Sequence, residues 1–483
     1  MKIWEKEAED LLSKSLNPFP QELNEIDWKL GLSEKTDRLA QHISAFANNV
    51  SGGFLVFGID NGSVVGITSD ECEQIVKTLG NIARQNLMPP VILDHNPVEY
   101  QGENLLFVKI DEASDKPIHL RNGSIYDSYV RSAGQTRKAE KSEVANLIAR
   151  SQGLRFEDGI AKTSLSSEDV LKIIDFSSYF DLTGRPMPDG NDAILDVLCS
   201  EKLTRKNGNT FDITNLGAIL FAKDIEQFEG LNRKAVRVII YGGKDRLKTL
   251  KELDGKKGYA SGFESLISFI TNLLPANEVI KAALRTDVKM YPVIAIRELV
   301  ANALIHQDFS IIGSGPMIEI FSDRIEISNP GQPLIDTLRL LDSPPQSRNE
   351  KLASIMRRFK VCEERGSGID KVVSQTEVYQ LPAPDFVKTE NHFRATLFAH
   401  KTFSEMTKDD RVRACYLHCC LKYVAGKERI NNATVRERFQ ISEQNYPIAS
   451  GIISDTIEAG LILTFDPDSN SKRYKSYIPF WAR

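Results

Sequence analysis

Glu298, Asn302 and His306 follow one another at four-residue intervals in the segment RELVANALIHQDF, whose other positions are largely apolar. On an α-helix this spacing places the three side chains on one face. A carboxylate there can orient and polarise a water molecule for attack on a terminal phosphate, and an amide oxygen one turn later can ligate Mg²⁺. The pattern indicates a nucleotide site, although polar residues at this spacing are also typical of a solvent-exposed helix face.

Two glycine-containing turns downstream favour the nucleotide site. The segment ISNPGQP places Gly331 directly after a predicted strand, where the backbone must approach a ligand closely. The segment ERGSGID places Gly366 and Gly368 before a helix predicted to begin near Ile369. Such a turn offers phosphates free backbone N–H groups and the positive end of the helix dipole, although a single G-x-G is also common in simple loops.

In this order the segments resemble the GHKL ATP-binding fold of gyrase, the heat-shock chaperone 90 and histidine kinases, and more closely a divergent branch of it, over residues 285–400. The resemblance implies ATP and Mg²⁺ as cofactors, with Glu298 as the water-orienting base and Asn302 as the magnesium ligand. It also implies a nucleotide lid around Ser347–Lys351 and phosphate contacts from the turn Arg365–Gly368. His306 belongs to the divergent pattern, and we expect it to be a packed or hydrogen-bonded residue.

The chain departs from the GHKL pattern at the first glycine turn. Standard members have an aspartate there, which accepts a hydrogen bond from the adenine amine, whereas this chain has Asn329 followed by Pro330. An amide oxygen still accepts this bond but, lacking charge, makes a weaker one. We therefore expect ATP binding and, at most, slow hydrolysis. The predicted nucleotide-binding residues are Asn302, Asn329, Gly331, Arg365, Gly366 and Gly368.

The N-terminal segment, from about Asn24 to Leu147, resembles the Schlafen AlbA-type domain through DWKLGL, AFANNVSGGFLVFGIDNGSVVGI and SYVRSAGQTRKAE in that order. The family includes RNA-cutting enzymes, in which clustered carboxylates hold a metal, and domains that only bind nucleic acid. The resemblance also implies a pairing with the ATP-binding module, as in bacterial regulators.

Charged residues near the start of this domain suggest where such chemistry would occur. Glu25, Asp27 and Lys29 alternate, so on a strand they would share one face and could hold a divalent ion beside a phosphodiester. A solvated edge strand with alternating charge has the same pattern. Asp27 is one methylene shorter than the family's usual glutamate, which weakens the case for cleavage. Nearby basic residues that could contact phosphates are Arg131, Arg137 and Lys138.

Residues 411–483 are predicted to form three helices and two strands, the order of a winged helix. The second helix of such a DNA-binding module enters the major groove, and the wing here would carry Lys472, Arg473 and Lys475. A winged helix that contacts a partner protein, or a second copy of the chain, is the alternative. The segment CYLHCC lacks the second ligand pair of a structural zinc site, so its cysteines are expected in the core.

Composition limits the class of protein. The net charge of −5 provides no global basic field, so nucleic acid must be bound by local patches. No apolar run approaches membrane-span length, and the acidic, amphipathic start is unlike a signal sequence. Six cysteines without regular spacing indicate a reducing compartment, so we expect a cytoplasmic protein with no membrane partner.

These sites require an α/β multidomain architecture. We predict a Schlafen AlbA-like α/β domain at 1–150 and a connecting α/β domain at 151–284. A GHKL-like α/β sandwich at 285–402 and a polar linker then precede a winged helix-turn-helix at 410–483. Within this plan, Thr36–Asn48 is a helix, and the strands either side of Ser322 and Asp323 form a hairpin.

The resulting prediction is an ATP-binding, nucleotide-controlled protein that binds DNA or RNA, with a role as a transcriptional regulator. The alternative is a metal-dependent, Schlafen-like ribonuclease gated by ATP, serving in phage defence. The two differ in whether the carboxylates near Asp27 cut or only support binding. Whether the protein is an enzyme therefore stays open, and a homo-oligomer is expected from the family.

Overall fold

The computed structural model describes residues 2–482 except 3, 18–19, 33–35, 133, 152–154, 275, 282–283, 363–367 and 467–474. For residues 36, 149–150, 276–281 and 284–289 it describes the backbone alone. The chain divides into two compact units, residues 1–155 and residues 156–483, and each is described by itself. In the described part of the chain, no helix combines the length and the apolarity that crossing a membrane requires.

In its described residues, the N-terminal unit has four α-helices and a set of short and medium-length strands. The helices are α1 (Glu5–Leu16), α2 (Thr36–Asn48), α3 (Ser69–Gln85) and α4 (Lys141–Ser151). The strands are β1 (Ile26–Lys29), β2 (Gly53–Phe57), β3 (Ile59–Asp60), β4 (Ser63–Val64), β5 (Leu87–Met88), β6 (Leu93–Tyr100), β7 (Glu103–Ile110), β8 (His119–Leu120), β9 (Tyr129–Ser132) and β10 (Gln135–Lys138).

The main sheet of this unit has the order β1-β2-β7-β6, with β1 parallel to β2 and the other pairs antiparallel. Every residue of β2 is buried, and successive side chains point to opposite faces. Leu55 and Phe57 join the core formed with α2 and α3, whereas Phe54 and Val56 join the core formed with α1. The sheet is therefore covered on both faces, and α2 has the bounds that the sequence predicted.

The C-terminal unit is larger. Its helices are α5 (Ser167–Ile173), α6 (Phe176–Thr183), α7 (Asn191–Ser200), α8 (Asn215–Phe221), α9 (Tyr259–Leu273), α10 (Val293–Ile305), α11 (Glu350–Arg358), α12 (Gly368–Val378), α13 (Lys408–Gly426), α14 (Asn432–Phe439) and α15 (Tyr446–Glu458). Its strands are β11 (Ile160–Leu165), β12 (Thr204–Asn207), β13 (Thr210–Thr214), β14 (Arg237–Tyr241), β15 (Thr249–Asp254), β16 (Ala276–Lys281), β17 (Leu284–Lys289), β18 (Met317–Ile320), β19 (Arg324–Pro330), β20 (Asp385–Lys388), β21 (His392–Phe398), β22 (Ile462–Thr464) and β23 (Tyr477–Pro479).

A six-stranded sheet of order β15-β14-β18-β19-β21-β20 supports this unit. Strands β18 and β19 form the predicted hairpin, with Ser322 and Asp323 between them. Strand β14 pairs in parallel with β18, so two strands of the predicted connecting domain belong to the sheet of the predicted ATP-binding domain. The boundary predicted between residues 284 and 285 is therefore wrong, because one sheet and one hydrophobic core cross it.

The C-terminal segment has the predicted order of three helices followed by two strands. Cys415, Cys419 and Cys420 are buried in its hydrophobic core, which also includes Val373 of α12. The polar linker predicted at residues 402–410 is folded, because Thr407 and Asp410 form a capping box at the start of α13. Buried contacts thus continue from α12 into this segment.

Candidate functional site

Helix α10 positions the side chains with which the sequence argument began. It begins after Pro292 and ends at Ile305, and the N–H of His306 closes its last turn by donating to the carbonyl of Asn302. The apolar positions of the helix from Ala295 to Ile305 are buried in the core of the unit. Glu298 is also buried, with 7% of its surface exposed, whereas Asn302 is half-buried.

One cavity of about 600 Å³ brings most of the predicted nucleotide-binding residues together. This volume lies within the range typical of small-molecule sites. Leu299, Ile327, Leu340 and Phe393 contribute apolar wall. The sequence-predicted residues that line the cavity are Glu298, Asn302, His306, Asn329, Gly331 and Gly368. Arg365 and Gly366, which were predicted to contact phosphates, lie outside the described residues.

Gly368 begins α12 and meets α10 at the cavity. A β-carbon on residue 368 would lie 2.7 Å from Oε2 of Glu298 and 3.8 Å from Nδ2 of Asn302. The first of these distances is shorter than side-chain carbons tolerate, so glycine allows the two helices to approach here. The first turn of α12 has backbone N–H groups that no intrahelical bond uses, and it lies beside the Glu298 carboxylate.

The first glycine turn follows β19 and packs against Asp308, three residues after the end of α10. Gly331 has a φ of 99°, and a β-carbon there would lie 2.7 Å from Cβ of Asp308. Asn329 is buried, with 3% exposed, and its Nδ2 donates to the carbonyl of Pro330 at 3.2 Å. Among the described residues, the Asn329 amide oxygen has no hydrogen-bond partner. It is therefore available to a ligand in the cavity.

The segment Ser347–Lys351, where the resemblance implied a nucleotide lid, is anchored at Asn349. Asn349 is buried, and its Nδ2 donates to the carbonyls of Ile305 at 2.7 Å and Gln307 at 2.8 Å. These bonds tie the start of α11 to the end of α10. Ser347, Arg348 and Glu350 of the same segment line the cavity, and a nucleotide lid formed by it stays a prediction.

Residues at the start of the C-terminal unit hold α11 from its other side. The buried carboxylate of Glu157 accepts hydrogen bonds from the backbone N–H groups of Lys351 and Leu352, which caps the helix. Phe156 stacks on Phe309, with ring centroids 4.1 Å apart and an interplanar angle of 1°. The segment Phe156–Asp158 is therefore fastened to two elements that flank the cavity.

Positive charge is concentrated at one side of the cavity. Burial, together with the charges of Arg348 and Arg357, lowers the pKa of His306 to about 4. The imidazole is therefore neutral at pH 7. Nε of Arg348 lies 3.9 Å from Oδ2 of Asp308. Sequence reasoning missed Arg357, and the signal available was its place in the basic run RRFK at the end of a predicted helix.

In the N-terminal unit, Asp27 is fully buried at the centre of an ionic cluster. Its Oδ1 accepts from Nζ of Lys29 at 2.6 Å, and its Oδ2 lies 2.8 Å from Nη1 of Arg131 and 3.0 Å from Nδ1 of His42. Although burial alone raises the pKa of the Asp27 carboxyl, His42 and Lys29 together hold it well below its usual range. Both carboxylate oxygens are thus used within the protein, which does not fit the predicted metal-ligating role.

Arg131 requires a correction to the predicted phosphate contacts. Its side chain is fully buried, and it donates to Asp27, Thr136 and the carbonyl of Leu23. A phosphate cannot reach it without disrupting the cluster, so Arg131 is a structural partner of Asp27. The sequence could not show this because 104 residues separate the two.

Glu22 joins the same cluster and was missed by sequence reasoning. Its Oε1 lies 3.6 Å from Nζ of Lys29. Burial, followed by the negative charge of Asp27 and a hydrogen bond with it, raises the pKa of Glu22 to about 7. Glu25 is half-buried beside the start of β1. Across the described ranges, no three His, Cys, Asp or Glu side chains are arranged to hold a metal ion.

Three of the other predicted nucleic-acid contacts, Arg137, Lys138 and Lys475, are on the surface. Arg137 pairs with Glu143 at 2.8 Å, and Lys138 pairs with Asp127 at 2.7 Å, on strand β10 of the β9–β10 hairpin. Their side chains are 43% and 57% exposed, so phosphates can reach both. Lys475 is exposed just before β23, whereas Lys472 and Arg473 lie outside the described residues.

Comparisons with known proteins agree with two parts of this description. Residues 22–140 match the family model described as "Schlafen, AlbA_2", and residues 313–397 match the one described as "Putative ATP-dependent DNA helicase recG C-terminal". The predicted Schlafen AlbA-type and ATPase-like domains are thus confirmed over these ranges, while α10 lies outside the second match. No curated protein matches the chain.

A solved structure also resembles the chain along its length. The crystal structure of the DIP2311 protein from Corynebacterium diphtheriae is 16% identical in sequence, with a TM-score of 0.43. The similarity covers 98% of this chain and 96% of that one.

Proposed function

We propose that this protein binds ATP in the cavity between α10, β19 and α12, and that the bound nucleotide controls nucleic-acid binding, as in a transcriptional regulator. The observation that carries the proposal is the convergence of Glu298, Asn302, Asn329, Gly331 and Gly368, which come from three separate segments, on one cavity. The match of residues 313–397 to an ATPase-like family supports it independently.

The residues of the cavity fit ATP with Mg²⁺. The amide oxygen of Asn302 is a hard donor of the kind that magnesium accepts, and Mg²⁺, when bound, would neutralise phosphate charge. The free amide oxygen of Asn329 would accept a hydrogen bond from the adenine amine. Gly331 and Gly368 allow backbone to approach the nucleotide, and Glu298 would orient a water molecule for slow hydrolysis.

We assign nucleic-acid binding to surfaces outside the cavity. The exposed Arg137 and Lys138 are the proposed phosphate contacts of the Schlafen AlbA-like unit. Residues 410–483 are proposed to be a winged helix, with Lys472, Arg473 and Lys475 on the wing, that contacts DNA or a partner protein. We further propose that the protein acts in the cytoplasm as a homo-oligomer.

Calorimetric titration of the full chain with ATP tests the nucleotide site. We expect binding that strengthens with Mg²⁺ and that loses this dependence in Asn302→Ala. Asn232→Ala is the matched control, because Asn232 is exposed and lies outside the cavity lining. Absence of ATP binding by the wild-type protein, with or without Mg²⁺, would contradict the proposal. Measuring the affinity for DNA and RNA with and without ATP then tests whether the nucleotide controls nucleic-acid binding.

RNA cleavage is a second candidate, favoured by Glu22. A carboxyl whose pKa is raised to about 7 can exchange a proton near neutral pH, as general acid–base catalysis requires, and Glu22 lies beside Lys29. Incubating RNA with the protein, with Mg²⁺, Mn²⁺ or a chelator and with or without ATP, tests this function. RNA cleavage by the wild type that is abolished in Glu22→Gln would support this function. The absence of cleavage in every condition would contradict it, and nucleic-acid binding without cleavage would remain the proposed function.

A further inference from the structure

Two consecutive arginines at the end of α11 have different surroundings. Glu350, Ala353 and Arg357 line the cavity, and their spacing places them on one face of the helix. Arg358 points elsewhere, is 42% exposed and pairs with Glu201 at 2.7 Å. Arg357 is half-buried, and within the described part of the chain its side chain has neither an ion pair nor a hydrogen bond. The helix thus directs one arginine without a partner into the cavity.

Among the described residues, no carboxylate forms an ion pair with Arg357. Glu350 begins the same helix seven residues earlier, about 10 Å away along the axis. Glu298 lies against Gly368, and Asp308 lies near Arg348. The N–H donors of a guanidinium that lines a cavity without a protein partner are free to bind a ligand there. Its planar fork matches phosphate oxygens and can bind two of them at once.

The position of the positive charge indicates which part of a nucleotide it would contact. Arg357 and Arg348 both act electrostatically on His306, which follows Asn302 by one turn of α10. Asn329, the proposed adenine acceptor, is on a different element, at the end of β19. The arginines therefore lie at the end of the cavity where Asn302 would hold the metal and the phosphates.

We propose that Arg357 binds the terminal phosphate of the nucleotide and makes the site selective for nucleoside triphosphates over diphosphates and monophosphates. This inference rests on the proposed ATP site. Arg357 lies outside the sequence motifs that indicated the site. Its contact with the terminal phosphate would allow the cavity to distinguish ATP from ADP.

The test is the affinity of the full chain for Mg·ATP, Mg·ADP and AMP, measured by calorimetry for the wild type, Arg357→Gln and Arg358→Gln. Both arginines are in the last turn of α11, so both variants remove a similar interaction with the helix dipole. We expect Arg357→Gln to weaken ATP binding by about 10- to 100-fold, as expected when a charged hydrogen bond is lost, and ADP binding by much less. Arg358→Gln should retain the wild-type preference for ATP.

The outcomes separate this inference from the ATP site itself. Equal losses of ATP and ADP affinity in Arg357→Gln, or an unchanged preference, would overturn the role of Arg357 while leaving the site in place. A wild-type protein that binds none of the three nucleotides would overturn the proposed function and this inference together. Unfolding curves without ligand confirm that each variant is folded, and Arg357→Lys, which keeps the charge but not the fork, should lose only part of the preference.

Discussion

The carboxylate of Glu298 occupies the space that a side chain on Gly368 would need. Its Oε2 lies 2.7 Å from the position of a β-carbon at residue 368. A side chain at residue 368 would therefore have to displace the Glu298 carboxylate. The glycine sets the distance between the proposed catalytic carboxylate and the first backbone N–H groups of α12, in addition to leaving room for phosphate.

Replacing Gly368 with alanine should impair both stability and nucleotide binding. The added carbon must displace Glu298 or α12, and overpacking of this kind typically costs about 1–3 kcal/mol in the free energy of unfolding. Chemical denaturation and ATP titration on the same preparation measure the two effects. Gly451→Ala is the control, because Gly451 is a helical glycine with no neighbouring atom within 4 Å. Unchanged stability and affinity in Gly368→Ala would show that the contact is not restrictive.

Replacing Glu298 with glutamine should separate hydrolysis from binding. The variant keeps the size of the side chain and one acceptor oxygen but loses the charge that polarises water. Removal of a general base typically lowers the rate by about 10²- to 10⁴-fold, and ATP affinity should change little. Turnover and affinity are measured together, with the exposed Glu264 changed to glutamine as the control. Equal losses of turnover and affinity would make Glu298 a structural residue, and a wild-type protein without turnover would make the site a sensor.

The raised pKa of Glu22 predicts that stability falls as pH rises. Below its ordinary value of 4.5, the carboxyl is protonated in both the folded and the unfolded chain. Between that value and a pKa of about 7, the folded chain keeps a proton that the unfolded chain has released, so the free energy of unfolding decreases as pH rises.

Glu22→Gln mimics the protonated carboxyl and should remove this dependence. We expect the variant to gain more over the wild type in thermal midpoint at about pH 8 than at about pH 5, which follows from the linkage between proton binding and stability. Melting curves of both proteins across this range provide the measurement. The same difference at both pH values would show that Glu22 titrates normally in the folded chain.

Substitution of Arg131 should mainly lower the stability of the fold, whereas substitution of Arg137 should mainly weaken nucleic-acid binding. Arg131→Met leaves Asp27 buried with one cation fewer, and breaking a buried ion pair typically costs about 3–5 kcal/mol. Arg137→Met removes an exposed pair, which is worth at most about 1 kcal/mol, but should weaken nucleic-acid binding and reduce its salt dependence. Denaturation curves and binding at two salt concentrations distinguish them. Normal stability in Arg131→Met would contradict the buried cluster.

Local patterns in the sequence identified several of the residues that line the cavity. The four-residue spacing placed Glu298 and Asn302 on one face of a helix, and the two glycine-containing segments marked Gly331 and Gly368 as positions of close approach. Arg357 escaped prediction because nothing in its own segment distinguishes it from Arg358. Only the packing of α11 against the cavity separates the two.

Contacts between distant residues explain the remaining errors. The alternation of Glu25, Asp27 and Lys29 fits an exposed edge strand, and β1 is at the edge of its sheet, yet Arg131 and His42 bury Asp27 there. The boundary predicted at residue 284 failed because the parallel pairing of β14 with β18 joins strands from separate stretches of the chain. Neither partner contains a local signal for the other.

The attachment of Phe156 and Glu157 has a mechanical consequence. Glu157 is only two residues from residue 155, where the N-terminal unit ends. Its carboxylate accepts hydrogen bonds from backbone N–H groups of α11, so a force applied to the chain at residue 155 would be transmitted to that helix. The same helix carries Arg357 into the cavity. Tension in the connecting chain would therefore act on the proposed phosphate contact without passing through the sheet. Any chimaera that exchanges the N-terminal unit must keep residues 156–158 with the C-terminal one, because a junction placed three residues later would leave α11 uncapped and Phe309 without its stacking partner.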